Sequence, residues 1–329
     1  MTVRFGLLGA GRIGKVHARA IASNPSARIV AVADAIEQAA TDLAANYGCE
    51  VRTIDQIEKA SDVDAVVICT PTDTHADLIE RFARAGKAVF CEKPIHLDAK
   101  RVEECLAVVD ETGATLMVGF NRRFDPHFAA VRKAIDDGAV GKVEQVVITS
   151  RDPGPPPLDY IPRSGGVFRD MTIHDFDMAR FLLGEEPVTV SATASVLVDD
   201  RIGEIGDFDT VSVLLTTASG KQAVITNSRR ATYGYDQRIE VHGSDGMVAA
   251  ENQRPVSIEV ANGRGYIRPP LHDFFMTRYV EAYANEIATF VKSVKEGTKP
   301  SPSGRDGLMA LRLADAALQS AREGRAIKL

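Results

Sequence analysis

The stretch GLLGAGRIG, residues 6–14, decides how the amino-terminal part of the chain folds. It lies between an apolar run, VRFGLL, and an amphipathic run, IGKVHARAIAS, and it places Gly9, Gly11 and Gly14 in G-x-G-x-x-G register. Between a strand and a helix, the first glycine allows a tight turn, the second lets the backbone approach a pyrophosphate, and the third lets the helix pack on the strand. The N-terminus of the helix then offers N–H groups to the phosphates. The stretch therefore predicts a dinucleotide site.

Asp34 bears on which dinucleotide is bound. It ends the run AVAD, twenty residues after Gly14, where a carboxylate would accept hydrogen bonds from the adenosine ribose and repel a 2′-phosphate. We therefore expect NAD, bound by Asp34, by the three glycines and by Ala10, Arg12 and Ile13. Arg12 leaves NADP open, because a guanidinium there would favour a phosphate. The alternative is an ordinary glycine turn in a domain that binds another ligand.

The first 120 residues alternate short apolar runs with amphipathic ones. Strands are predicted for VRFGLL, ARIVAVAD, DAVVICTP, KAVFCEKP and TLMVGFN, and helices for the four segments between them. Such alternation is typical of a parallel sheet with helices on both faces, and runs such as AVVIC fit strands that are buried on both sides. Residues 1–122 are therefore predicted to form a doubly wound, Rossmann-type α/β domain that binds the dinucleotide.

Two segments follow strands of this predicted sheet at the edge where open parallel sheets bind ligands. CTPTDTHADL follows the third strand and places Thr70, Pro71 and His75 beside the cofactor. For His75, a polar helix start with no ligand is an equal alternative. FCEKP places Glu92 and Lys93 at the end of the fourth strand. We therefore expect Glu92 and the amine of Lys93 to bind the cofactor at the same crevice.

After residue 122 the pattern changes. PHFAAVRKAIDDG predicts one more helix, and six strand-like runs then follow, largely without intervening helices: KVEQVVITS, PVTVSATASVLV, FDTVSVLLTTA, KQAVITNS, QRIEVHGS and VSIEV. The connections ASGK and GSDG are typical of hairpin turns. Residues 123–329 are therefore predicted to form an α+β domain with a large open, mostly antiparallel sheet.

Composition excludes several classes of partner. The 329 residues are 45% hydrophobic and 26% charged, which is ordinary for a soluble globular protein. A net charge of −6 with dispersed Lys and Arg argues against nucleic acid or an anionic membrane as partner. No apolar run reaches the ~18 residues of a membrane span, and the start reads as a strand and not as a signal peptide. The four cysteines form no C-x-x-C pair, so reduced thiols in the cytoplasm are expected.

The segment SGGVFRDMTIHDFDMARFLLG, residues 164–184, carries acids and a histidine in an apolar setting. In a helix, Asp170 and His174 lie one turn apart on the same face, with Asp177 close to the same line. Asp175 points about 100° away and is predicted to be structural or exposed. One histidine with two carboxylates would suit a divalent cation. Because a nicotinamide redox site needs no metal, none is predicted.

Five motifs in order, GAGRIG, CTPTDTHADL, CEKP, GFNRRFDP and the later GG-x-x-x-D-x-x-x-H, resemble the Gfo/Idh/MocA family of nicotinamide-dependent oxidoreductases. The resemblance covers essentially the whole chain. It implies a Rossmann domain followed by an open-faced sheet domain, here residues 123–329, that binds the substrate and mediates oligomerisation. Among homo-oligomers we favour the tetramer. It also implies that Lys93, Asp170 and His174 form the catalytic group.

The chemistry of alcohol oxidation agrees with these roles. An imidazole, with an ordinary pKa of about 6.5, can accept the hydroxyl proton near neutral pH. Asp170 would hold the tautomer of His174 and stabilise the imidazolium that forms. Lys93 would donate a hydrogen bond to the reacting oxygen and stabilise its developing negative charge. With these groups on different domains, we expect the reaction to take place between the domains.

Within the family, residues 151–184 and 228–247 resemble members that use NAD to oxidise the C2 hydroxyl of myo-inositol to 2-keto-myo-inositol (scyllo-inosose). A polyol needs several polar partners. Besides the catalytic group, the predicted substrate contacts are Asn121, Arg122, Asp152, Thr172 and Tyr233. Asp177 is open to a second interpretation, a salt bridge to Arg180. The alternative functions are a dehydrogenase of another inositol or cyclic sugar (D-chiro-inositol, scyllo-inositol, glucose) and a non-catalytic NAD-binding sugar sensor.

Overall fold

The computed structural model describes residues 2–329, which pack into two compact units. The first contains the residues up to Asp125 together with Val280–Leu311. The second contains Pro126–Tyr279 and Arg312–Leu329. The domain limits predicted above, 1–122 and 123–329, run along the sequence and do not anticipate that residues 280–311 pack with the amino-terminal unit.

A six-stranded parallel sheet forms the centre of the first unit, in the order β3-β2-β1-β4-β5-β6. This order is that of a dinucleotide-binding doubly wound sheet, so the predicted fold class is confirmed. All four residues of the central strand AVVI are buried, as expected for a strand covered on both faces. The strands are β1 Val3–Leu8, β2 Ala27–Ala33, β3 Glu50–Val51, β4 Ala65–Ile68, β5 Ala88–Glu92 and β6 Leu116–Gly119.

The second unit contains a seven-stranded sheet in the order β12-β11-β7-β10-β9-β8-β15. Its pairs are antiparallel except for β7 with β10, which run parallel, so the predicted mostly antiparallel sheet is confirmed. ASGK and GSDG both lie in hairpins, as predicted. The strands are β7 Val143–Arg151, β8 Pro187–Ser195, β9 Thr210–Thr217, β10 Gln222–Ser228, β11 Asp236–Gly243 and β12 Gly246–Ala250, followed by a separate hairpin of β13 Val260–Asn262 and β14 Gly265–Ile267, and by β15 Ile327–Lys328.

Helices flank both sheets. They are α1 Arg12–Ala22, α2 Glu37–Tyr47, α3 Ile54–Lys59, α4 His75–Arg84, α5 Ala99–Thr112, α6 Pro126–Asp136, α7 Ile161–Ser164, α8 Ile173–Leu183, α9 Asp200–Glu204, α10 Phe275–Arg278, α11 Val280–Glu296 and α12 Gly304–Glu323. In the first unit α11 packs on α1, and in the second α8 packs on β7 and β10. Among residues 2–329, no helix combines the length and the apolar character needed to cross a bilayer.

Two features of the elements differ from the prediction. The run VSIEV, predicted as a strand, is irregular up to its last residue, and the strand there is Val260–Asn262. Alternation alone does not make a strand, because the backbone needs a neighbouring strand to pair with, and here the pairing begins only at Val260, which pairs with Ile267. The segment around Asp170 begins with a π-helix, Phe168–Thr172, before α8 starts at Ile173.

Candidate active site

The three glycines of the loop between β1 and α1 have distinct surroundings. Gly9 has φ +98°, and a Cβ on it would lie 2.6 Å from the carbonyl oxygen of Cys69. A Cβ on Gly14 would lie 2.0 Å from the carbonyl oxygen of Gly9, so the start of α1 packs directly on the turn. At Gly11 a Cβ would meet no described atom within 4 Å, and this residue is exposed. The loop therefore has the open backbone position that a pyrophosphate requires.

Asp34 holds this loop in place. Its Oδ2 accepts a hydrogen bond from the backbone N–H of Ala10 at 2.6 Å, and its Oδ1 accepts one from Ile36 at 2.7 Å. Each carboxylate oxygen has a further lone pair, so the group can still accept hydrogen bonds from ribose hydroxyls. Arg12 is exposed at the first position of α1, and Ile13 beside it is half-buried. These residues fit the adenosine diphosphate part of NAD.

The segment after β4 is fixed by its own side chains. The hydroxyls of Thr70 and Thr74 lie 2.6 Å apart, and the Thr74 hydroxyl donates to the carbonyl of Pro71 at 2.8 Å. His75 is buried, with Nε2 at 2.8 Å from the carbonyl oxygen of Thr70 and Nδ1 at 2.8 Å from that of Pro94. Burial lowers the pKa of His75. The structure thus places this ring against backbone carbonyls, and its contact with the cofactor stays a prediction.

Lys93 follows the buried end of β5 and is partly exposed. The preceding Glu92 is buried, and its Oε1 lies 2.6 Å from Nε2 of His17 on α1. Gly119 packs against the other oxygen of the Glu92 carboxylate, because a Cβ on Gly119 would lie 3.1 Å from Oε2 of Glu92. The carboxylate of Glu92 therefore points into the protein, whereas Lys93 is partly exposed. Contact of either residue with the cofactor stays a prediction.

Asn121 and Arg122 lie in a 3-10 helix, Asn121–Phe124, that directly follows β6, and both are buried. The neighbouring Arg123 donates from Nη2 to Oδ1 of Asp306 at 3.0 Å and from Nη1 to the hydroxyl of Ser301 at 3.1 Å. This short helix is therefore tied to the start of α12. Asn121 and Arg122 thus lie just after the carboxyl end of β6, and their contact with the substrate stays a prediction.

In the second unit, Asp170 and His174 lie on consecutive turns of one helical segment. Asp170 belongs to the π-helix, and His174 to the first turn of α8. The Asp170 side chain is 15% exposed and its Oδ1 accepts a hydrogen bond from the hydroxyl of Tyr160 at 3.1 Å. His174 is also partly exposed. Single π turns inside helices are frequent at functional sites, and the sequence carries no signal for one.

A buried arginine beside Asp170 was not predicted. Arg229 is 1% exposed, and its Nη1 lies 3.7 Å from Oδ2 of Asp170. Its Nη2 lies 3.7 Å from Oδ2 of Asp207, whose oxygens also face the backbone N–H of Val167 at 3.0 and 3.1 Å. Burial raises the pKa of Asp207. The guanidinium thus places a positive charge next to the predicted catalytic carboxylate.

The other acids of α8 are buried. Asp175 accepts hydrogen bonds from the hydroxyl of Ser150 at 2.6 Å and from the amide of Asn227 at 2.8 Å, so it connects the helix to the sheet beneath it. Asp177 lies 3.8 Å from Nη1 of Arg180, which fits the salt-bridge interpretation. The hydroxyl of Thr172, a predicted substrate contact, is buried and donates to the carbonyl of Val167 at 3.3 Å.

Tyr233 belongs to a polar network at the end of β10. Its hydroxyl donates to Oδ2 of Asp236 at 2.5 Å and accepts a hydrogen bond from Nη1 of Arg151 at 2.8 Å. Burial of the phenol oxygen and the bond to Asp236 raise the pKa of Tyr233. The half-buried Asp152 follows Arg151, and its backbone N–H donates to the carbonyl of Ser228 at 3.0 Å. Both predicted substrate contacts of this region therefore flank β7 and β10.

Nowhere in residues 2–329 do three or more His, Cys, Asp or Glu side chains come together in an arrangement that could hold a metal ion. The acids around His174 instead have Tyr160, Arg229, Ser150, Asn227 and Arg180 as neighbours.

Residues 3–120 match the model of an oxidoreductase family with an NAD-binding Rossmann fold, which confirms NAD as the cofactor. Residues 128–249 match the GFO/IDH/MocA C-terminal domain. The chain is 74% identical over 329 residues to the inositol 2-dehydrogenase of Rhizobium meliloti (strain 1021), with 100% of both chains covered.

Two solved structures extend the comparison. A myo-inositol dehydrogenase from Corynebacterium glutamicum ATCC 13032 has a TM-score of 0.97 at 45% identity, and 100% of this chain and 99% of that one are covered. A scyllo-inositol dehydrogenase from Lactobacillus casei, solved with NAD(H) and scyllo-inositol bound, has a TM-score of 0.93 at 28% identity over 100% and 99% of the two chains. As its five motifs predict, the chain belongs to the Gfo/Idh/MocA family of NAD-binding oxidoreductases.

Proposed function

We propose that the protein oxidises the C2 hydroxyl of myo-inositol to 2-keto-myo-inositol, with NAD as the acceptor. The observation that carries the proposal is the similarity to an inositol 2-dehydrogenase along the whole of both chains. Lys93, Asp170 and His174 are all present, and the structure leaves the side chains of Lys93 and His174 partly exposed. We place the reaction in the oxidative direction, as catabolism of myo-inositol requires.

The proposed roles follow from what each group can donate or accept. Bound NAD supplies the nicotinamide that takes the hydride from C2. His174 accepts the hydroxyl proton as general base. Asp170 orients the imidazole and stabilises its cation, and the ammonium of Lys93 donates a hydrogen bond that stabilises negative charge on the reacting oxygen.

Recognition of the remaining hydroxyls is assigned to a set of side chains that includes hydrogen-bond donors, acceptors and groups that do both. We propose that Asn121, Arg122, Asp152, Thr172 and Tyr233 form these contacts. A site that pairs each hydroxyl with a buried polar group rejects analogues that leave the group unpaired. The buried position of Asn121 and Arg122 and the fixed geometry of Tyr233 support this assignment.

The test is NADH formation, followed by absorbance, with myo-inositol and a panel of other polyols. We expect the highest kcat/KM with myo-inositol, and we expect His174→Ala to lower kcat by about 10³-fold while NAD still binds, because the general base is lost. No NADH with any inositol would refute the substrate. A kcat for His174→Ala close to that of the wild type would refute the base.

A second candidate substrate is scyllo-inositol, and the observation that favours it is the structural similarity to the scyllo-inositol dehydrogenase. The two inositols differ only in configuration at C2, so the same polar contacts serve the rest of both rings. The panel therefore includes scyllo-inositol, D-chiro-inositol and glucose. A kcat/KM that is highest with one of these would move the assignment to that substrate.

We further propose that the protein acts as a homotetramer in the cytoplasm. Directly opposed residues of neighbouring strands share one face of a sheet, and on the second sheet Leu214, Val224 and Val147 form an apolar row in register. Leu214 is 40% exposed and the two valines are half-buried. A depression of about 370 Å³ on the same face is lined in part by Val147, Arg238 and Glu240. Exposed apolar rows of this kind favour self-association.

The cysteines form no disulfide, in keeping with a reducing compartment.

A further inference from the structure

The E-K-P segment, residues 92–94, is held on both sides by buried imidazoles. Glu92 lies 2.6 Å from Nε2 of His17, and the carbonyl oxygen of Pro94 lies 2.8 Å from Nδ1 of His75. His17 is fully buried and His75 is 2% exposed. The residues before and after Lys93 are therefore fixed from two different helices, α1 and α4.

The ring of His17 makes one hydrogen bond in the described part of the chain, and aromatic rings pack around it. The ring lies edge-on to Phe90 at 5.0 Å and to Tyr283 at 5.4 Å between centroids. Its Nδ1 is buried and has no hydrogen-bond partner within residues 2–329, so Nε2–H makes the hydrogen bond, to the Glu92 carboxylate. A charge-assisted hydrogen bond at this distance is among the stronger polar contacts in a protein interior. The rings of Phe90 and Tyr283 pack against the imidazole of His17.

The ring of His75 joins two strand ends. Its second nitrogen, Nε2, lies 2.8 Å from the carbonyl oxygen of Thr70, directly after β4, while Nδ1 faces Pro94 after β5. β4 and β5 are neighbours in the sheet, so this contact sets the spacing of the two loops that follow them. Lys93 lies within the second of these loops.

We propose that His17 and His75 are positioning residues that fix the E-K-P segment and so hold the amine of Lys93 where it can bond the reacting oxygen. The proposal rests on the proposed function, because it assigns the two histidines a purpose in the dehydrogenase reaction. In this assignment neither histidine touches the substrate. His17 acts through Glu92, and His75 acts through Pro94. A displacement of about 1 Å in a catalytic group can lower the rate by about 10²-fold, so the position of the Lys93 amine matters for turnover.

The first test compares His17→Leu with His17→Gln. Leucine removes the donor to Glu92, whereas the glutamine amide nitrogen can take the place of Nε2. We expect His17→Leu to lower kcat by about 10- to 100-fold, with NAD affinity kept within about twofold, and His17→Gln to recover most of kcat. The deuterium isotope effect with C2-deuterated myo-inositol should rise in His17→Leu, because hydride transfer becomes slower relative to product release. His75→Leu should act in the same direction.

Ile21→Ala is the matched control for lost packing. Ile21 is a fully buried residue of the same helix and belongs to no part of the proposed site. It should lower the unfolding midpoint but leave kcat and the isotope effect unchanged. If His17→Leu does not fold, His17→Asn replaces it, because the shorter amide stays polar and does not reach Glu92. Equal kcat losses in His17→Gln and His17→Leu, or a loss in NAD affinity as large as the loss in kcat, would overturn the proposal.

A second readout does not depend on any substrate. The rate at which acetic anhydride labels Lys93, measured by mass spectrometry against the exposed Lys100 of the same protein, reports how firmly the amine is held. We expect the ratio to change severalfold in His17→Leu and His75→Leu and to stay at the wild-type value in Ile21→Ala. An unchanged ratio in both histidine variants would overturn the proposal. A wild-type protein that forms no NADH with any polyol would overturn the proposed function alone.

Discussion

Asp34 has an observed structural role and a predicted role in binding the cofactor. Its two oxygens accept the N–H groups of Ala10 and Ile36, and so it fixes the glycine loop before any cofactor arrives. The same carboxylate stands where the adenosine ribose is expected, and its charge opposes a 2′-phosphate. We therefore expect that Asp34 links the choice of coenzyme to the geometry of the glycine loop.

We predict that Asp34→Ser lowers the ratio of kcat/KM with NAD to kcat/KM with NADP by about 10- to 100-fold, because a charged hydrogen-bond acceptor is lost and the repulsion of a phosphate ends. Steady-state kinetics with both coenzymes measure this ratio. Asp34→Asn keeps an acceptor for Ala10 without the charge, and so separates loop geometry from repulsion. A ratio that does not change in Asp34→Ser would contradict the ribose role.

At the scale of single residues, the sequence predicts what depends on local spacing. The surroundings of Gly9, Gly11 and Gly14 are those expected of their motif, because a motif encodes a local backbone shape. Arg229 beside Asp170 and His17 beside Glu92 were not predicted. These contacts join segments that are distant in the chain, and no spacing rule reports them.

At the scale of the element, the start of α12 is fixed by a reciprocal cap. The backbone N–H and the hydroxyl of Ser303 donate to Oδ2 of Asp306 at 2.7 and 2.8 Å. Arg123 adds a hydrogen bond from the segment after β6. Although burial opposes it, the charge of Arg123 and the bonds from Ser303 lower the pKa of Asp306 to about 2. A negative charge in the first turn also agrees with the helix dipole.

This pKa predicts how stability depends on pH. The folded-state pKa of Asp306 lies below its ordinary value, so its contribution is fully present above about pH 4 and is lost as the pH falls towards 2. We expect Asp306→Asn to lower the free energy of unfolding at pH 7 by about 2 kcal/mol, and the difference from wild type to vanish near pH 2. Chemical denaturation at several pH values measures it.

Asp110→Asn is the control, because Asp110 is an exposed carboxylate on α5. It should change the free energy of unfolding by no more than about 0.5 kcal/mol at any pH. A constant difference between Asp306→Asn and wild type from pH 7 to pH 2 would show that the charge of Asp306 does not contribute.

The helices and strands were predictable wherever hydrophobic periodicity extended over several turns or residues. The two-residue β3 and the six-residue α3 were missed because they are too short to show a period. VSIEV has the period of a strand but no partner along most of its length. The π-helix Phe168–Thr172 depends on how the turn before α8 packs, which residue pattern alone does not report.

At the scale of the whole molecule, the open face of the second sheet carries the proposed assembly. We predict that Leu214→Lys weakens association of the tetramer by at least about 10-fold, because a charge would be buried against a second copy without a partner. Analytical ultracentrifugation measures the stoichiometry. Leu197→Lys, at a residue that is 66% exposed outside the strands, is the control and should leave assembly unchanged. A stable tetramer of Leu214→Lys would place the interface elsewhere.

The packing of Val280–Leu311 with the amino-terminal unit has a consequence for biosynthesis. Phe290 of α11 completes a ring cluster with Phe5 and Phe90, at centroid distances of 6.1 and 5.7 Å. A ribosome therefore releases β7 to β14, every strand of the second unit except β15, before the nucleotide-binding core can close. The residues up to Asp125 therefore cannot complete their core until residues made much later have left the ribosome. For the same reason, a gene fragment that stops at residue 122 would not be a self-sufficient module for recombination with other proteins.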